Sequence, residues 1–180
     1  MSKRVQDLLH HKHRFPTDAA AFLDGDDIRS LVGMVRAGDA QTNRVRALDL
    51  LVTSDAEQAK ELLSELLTRD AHDSLLSAAA ATHVTRFSAQ WAESLLLDGL
   101  QANEARDGVR CGEPDAGGTS KIRLNKMVAS LGRCGGKRSI PALQTLADDP
   151  GSDPMVSKQA RFALTLIGCR EGLRGRTQPT

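Results

Sequence analysis

An all-α chain, built as a stack of helical pairs, is predicted by three observations. Apolar residues recur at helical spacing along most of the chain. Two helices end alike, at Leu131-Gly132 and Ile167-Gly168, 36 residues apart and in the same phase, within the period range of helical solenoids. With no Tyr, one Trp and four Phe, the core must also be made of Leu, Ala and Val, which suits close helix stacking. At 180 residues the chain accommodates about four pairs of roughly 35 to 45 residues each.

The elements follow in order. Val5, Leu8 and Leu9 share one face of a short N-terminal helix, and Thr17 can cap another through Phe22 and Leu23 before Gly25 breaks it. Residues 1–25 therefore read as a lead-in. Asp26 is the expected cap of an amphipathic helix in which Ile28, Leu31, Val32 and Val35 fall at i, i+3, i+4 and i+7, with Gly38 after it. The next helix starts near Thr42 and carries Val45, Leu48 and Val52. Ser54 and Glu57 stand at capping-box spacing before Ala59, Leu62, Leu63 and Leu66. Asp73 opens a helix with Leu76, Ala80, His83, Val84 and Phe87 inside, and Ser88 opens one with Trp91, Ala92, Leu95, Leu96 and Gly99 inside. His83, set in an apolar stripe, reads as a packed core residue rather than a base or ligand.

Residues 103–120 contain four Gly, one Pro, mixed charge and little to bury, and are expected to form an irregular insertion. Helical signals resume with Leu124, Met127, Val128 and Leu131, and a glycine-rich turn from Arg133 to Lys137 follows. Ile140, Pro141, Leu143, Leu146 and Ala147 form the next helix, its proline in the first turn where a missing N–H costs nothing. Asp153 and Pro154 form an N-cap and N1 pair ahead of Val156, Ala160, Ala163, Leu164 and Ile167. The repeat domain thus spans 26–168, with pairs near 26–52, 55–87, 88–132 and 139–168, and 169–180 is a basic tail.

The run LNKMVASLGRCGGKRSIPALQTLADDPGSDPMVSKQARFALTLIG resembles a HEAT repeat, of the short bacterial HEAT-like kind also found in phycobilisome lyases. The resemblance rests on the LG and IG helix ends, the I-P-A-L opening, the D-P connector and the small-residue ladder of the following helix. It implies a right-handed α-solenoid of about four HEAT-like pairs. Such a fold hosts many unrelated activities, so function must be argued from the residues.

Reaction chemistry of the common kinds is missing: there is no G-x-S-x-G, Walker A loop, G-x-G-x-x-G after a strand, HExxH or CxxC. Di-iron hydroxylases of the HEAT-like class use His-Glu pairs, and none of the five histidines here precedes Glu, which excludes that branch. His10, His11 and His13 invite a metal reading, but adjacent helical positions diverge and no further ligand stands beside them. No cofactor and no metal are therefore expected. Cys111, Cys134 and Cys169 form neither a CxxC pair nor an even framework, so a reduced, cytoplasmic setting is expected. The N-terminus lacks a secretory h-region, and no apolar run approaches the roughly 18 residues of a membrane span.

The formal charge of +1 hides a split: residues 121–180 carry +7 and residues 1–120 carry −6. A non-catalytic adaptor that binds a protein with an acidic surface is the expected function. The resemblance places partner contacts on the second helix of a pair and its flanking turn, which points to Arg133, Lys137, Arg138 and Gln144. A chromophore-lyase-type or other small-molecule activity is the alternative reading, though scarce aromatics weigh against it. Nucleic-acid binding through the basic end ranks third, since HEAT-like DNA glycosylases use a strongly basic groove with aromatic residues, which this chain lacks.

Overall fold

A computed structural model describes residues 3–10, 23–37, 40–69, 74–107 and 119–176. Among them no strand occurs, and the order is α1 (Lys3–His10), α2 (Gly25–Ala37), α3 (Gln41–Ser54), α4 (Ala56–Thr68), α5 (Ser74–His83), α6 (Ala89–Asp107), α7 (Thr119–Cys134), α8 (Ile140–Asp148) and α9 (Pro154–Arg176). Single 3-10 turns occupy Val84–Arg86 and Lys137–Ser139. The chain divides into two compact units, Met1–Leu66 and Leu67–Thr180.

In the first unit α3 is the central helix, with α1 and α2 packed against it. Val5 and Leu9 of α1, Leu31 and Val35 of α2, and Leu48 and Leu51 of α3 are fully or almost fully buried. Helix ends are satisfied locally. The Asp24 carboxylate accepts from the Asp26 and Asp27 backbone N–H groups at 2.9 Å, and the Asp27 carboxylate accepts in turn from the Asp24 N–H at 3.4 Å, a reciprocal cap. The cap of α2 is thus Asp24 rather than Asp26. The latter pairs with Arg29, and Gly25 is the first residue of the helix. At the other end Arg44 Nε donates to the Val35 carbonyl at 2.8 Å.

Two further expectations differ from the structure. Asp55, not Ser54, caps α4, accepting from the Glu57 and Gln58 N–H groups at 3.1 Å. Ser54 ends α3 and donates to the Leu50 carbonyl at 2.8 Å. In α3 the buried positions are Ala47, Leu48, Leu50 and Leu51, while Val45 and Val52 are only half-buried. A helix covered on more than one side buries residues outside a single i, i+3, i+4 stripe.

In the second unit α7 packs against α5, α6 and α9, and α8 packs against α9. Three contacts show that α7 and α9 run parallel. Near their starts Lys121 pairs with Asp153 at 3.1 Å. In the last turn of α7 and near the middle of α9, a Cβ on Gly132 would lie 3.1 Å from both the Cα and the Cβ of Ala163. At their ends Arg170 Nη2 donates to the Gly135 carbonyl at 2.6 Å. The connecting α8 carries Pro141 in its first turn and buries Leu143, Leu146 and Ala147, as its spacing predicts. Asp153 caps α9 through the Met155 N–H at 2.9 Å.

The two glycine positions, alike in sequence, have different structural roles. Neither ends a helix: α7 continues to Cys134 and α9 to Arg176, taking in the first part of the expected tail. Gly132 is buried because α9 passes closely over it, whereas Gly168 is exposed, with nothing within 4 Å of where a Cβ would stand. No described glycine adopts the left-handed conformation of a closing residue. Within the stripes, Met127, Val128 and Leu131 of α7 and Val156, Ala160, Ala163 and Ile167 of α9 are buried. Leu124 and Leu164 are only half-buried.

Both ends of the stretch 103–120 are helical, since α6 reaches Asp107 and α7 begins at Thr119. Cys111 lies outside the described residues, as do His11, His13, Thr17, Phe22, Gly38 and Asp73. Trp91, expected inside, is half-buried and meets Phe87 edge to face with ring centroids 5.1 Å apart. Among the described residues no helix is long and apolar enough to cross a membrane.

Candidate functional site

The turn between α7 and α8 carries most of the residues that the sequence singles out. Gly135 makes it possible: its N–H donates to the Leu131 carbonyl at 2.7 Å, and an added Cβ would lie 2.6 Å from that oxygen and from Ser139 Oγ. Only glycine fits so tight a reversal. The chain then passes through the Lys137–Ser139 3-10 turn into α8.

Two charged side chains from other helices hold this turn. Glu93, on α6 and almost wholly buried, accepts from the Gly136 N–H and from Ser139 Oγ, each at 2.7 Å. Arg170, on α9, donates to the carbonyls of Arg133 and Gly135. Hydrogen bonds with one ionised partner are stronger than neutral ones, and a buried carboxylate without donors would cost several kcal/mol. The turn backbone is therefore fixed from both sides. Sequence reasoning misses Glu93, although a signal is present. It sits at i, i+3 and i+7 with Leu96 and Leu100, a carboxylate inside an apolar stripe.

Arg133, Lys137, Arg138 and Gln144 are all exposed, the first three around the turn and the last on α8. The three cations make no ion pair among the described residues. Backbone rigidity beneath exposed cations is a suitable arrangement for meeting an anionic surface, because little ordering remains to be done on contact. Neither a family model, a curated protein nor a solved structure matches the chain.

The two described thiols differ in reactivity. Cys134 donates to the Ser130 carbonyl at 3.2 Å, and burial pushes its pKa up to about 11, against the opposing pull of the Arg170 guanidinium. It stays protonated at neutral pH. Cys169 is an exposed free thiol, and the two are not joined. Among the described residues no group of three or more His, Cys, Asp or Glu side chains is placed to hold a metal. His83, half-buried at the end of α5, belongs to no such group.

Proposed function

We propose that the chain is a non-catalytic, HEAT-like helical scaffold whose 133–144 edge binds an acidic surface on a partner protein. The observation that carries this reading is the fixed turn: Arg133, Lys137 and Arg138 project as exposed cations from a backbone held by Glu93 and Arg170. The parallel packing of α7 and α9, joined through α8, supports the solenoid reading, because stacked helical pairs place alternate helices side by side. Packing of α2 against α3, α6 against α7 and α8 against α9 supports a reading in helical pairs near 26–52, 88–132 and 139–168. A stack of this kind presents an extended surface without requiring reaction chemistry.

The test is reversal of charge. Arg133→Glu, Lys137→Glu and Arg138→Glu together are expected to weaken the complex with the protein that co-purifies from the native cell by about 100-fold, roughly 3 kcal/mol, at low salt. Binding by the wild type should fall with ionic strength, and the residual binding of the variant should not. Retention of full affinity would remove this edge from the interface. Loss of duplex DNA binding instead would replace the scaffold reading with a nucleic-acid one.

A further inference from the structure

Exposed apolar side chains are concentrated in the second unit. Among the described residues the large exposed hydrophobics are Leu75 (47%), Ile122 (43%), Met155 (66%) and Phe162 (56%), on α5, α7 and α9. Met155 and Phe162 are seven residues apart on α9, which places them on one stripe about 10 Å apart along the axis. On α7, Ile122 heads the stripe Lys126, Ala129 and Arg133, at i+4, i+7 and i+11. Because the two helices are parallel and in register, the stripes run side by side. At their N-terminal end a cavity of about 230 Å³ opens between Ile122, Lys126, Met155 and Val156, beside the Lys121–Asp153 ion pair.

The rim of this groove is basic. Four basic and no acidic residues occur on α7, and five basic and one acidic on α9. Lys126, Arg133 and Lys158 are exposed and make no ion pair among the described residues.

We propose that the α7–α9 groove receives the apolar face of an acidic amphipathic helix from a partner protein. This rests on the protein-binding reading above and names the kind of segment that is bound. A helix laid along the groove presents side chains at i and i+7 with the spacing of Met155 and Phe162, and methionine adapts its shape to the side chains it meets. Carboxylates on its flanks meet Lys126, Arg133 and Lys158. A second copy of the chain is a poor occupant. Pairing the face with itself opposes these cations to one another, and the described part of the first unit exposes no large hydrophobic residue to insert.

The probe is a labelled synthetic helix of about 18 residues, roughly 27 Å long, with Leu at i, i+4, i+7 and i+11 and Glu at most other positions. Its binding to the full chain is followed by fluorescence anisotropy. Saturable binding is expected, weakened tenfold or more by the double substitution Met155→Ser and Phe162→Ser and also weakened by salt. A scrambled peptide of the same composition, and one with Lys in place of Glu, should not bind. Both substituted side chains are exposed, so the melting temperature of the double variant should match the wild type. Equal binding of the scrambled peptide overturns the proposal, as does unchanged affinity of the double variant. So does tighter binding, lost in that variant, to phosphatidylserine vesicles or duplex DNA, or a dimer in sedimentation that the variant dissociates. If the groove fails while Lys137→Glu with Arg138→Glu still releases the co-purified protein, the scaffold reading stands without it. If neither variant affects any protein complex, both readings fall.

Discussion

Glu93 shows how one side chain determines the shape of a surface to which it does not belong. Its carboxylate satisfies the Gly136 N–H and the Ser139 hydroxyl, so removing it strands two donors in a mostly buried place. Glu93→Ala should lower stability by about 2 to 4 kcal/mol in urea unfolding, and Glu93→Gln, which keeps an acceptor, by less. Cysteine chemistry is decided at the same scale. Iodoacetamide at neutral pH should modify exposed Cys169 well before Cys134, as peptide mass mapping will show. The raised Cys134 pKa also has a sign in stability. Folding disfavours the thiolate, so between pH 9.0, the ordinary value, and about 11 the unfolded chain ionises first and stability falls as pH rises. Cys134→Ser should flatten that part of the profile.

Elements differ in what their glycines do. Replacing Gly132 inserts a Cβ at 3.1 Å from Ala163, so Gly132→Val should force α7 and α9 apart and lower the melting temperature by several degrees for a loss of about 1 to 3 kcal/mol. Gly168 has open space around it within α9, so Gly168→Ala should stabilise by about 0.5 to 1 kcal/mol through helix propensity. Opposite signs at these two positions are the expected result in thermal unfolding, and equal signs would contradict the close α7–α9 approach. Helix caps were legible in the sequence to within a residue or two. Asp, Ser and Thr compete for each cap, and which one wins depends on where the packed helix begins, as Asp24 and Asp55 show.

For the molecule as a whole, stability of about 5 to 15 kcal/mol leaves little margin for a buried charge. Leu131→Asp, at a fully buried site, should cost about 3 kcal/mol or more and melt out much of the helical circular dichroism signal at 37 °C. Leu164→Asp should cost much less, because half-buried Leu164 lets the carboxylate reach water. Comparable loss from both would mean that α9 presents a different face.

By itself the sequence determined that the chain is helical, where most helices run, and which end is basic, because periodicity, capping and charge are local properties. Met127, Leu131, Leu143 and Ile167 were identifiable as core from spacing alone, while the cations of the 133–138 turn were singled out by the charge split and the resemblance. Tertiary structure alone decided that Gly132 is a contact point while Gly168 is not, and that Leu164 is half exposed. It also decided that Glu93 and Arg170, 77 positions apart, hold the same turn, and that Ile122, Met155 and Phe162 lie along neighbouring stripes. Those outcomes depend on which helix lies across which, and a one-dimensional period carries the direction of a buried face but not the identity of what covers it.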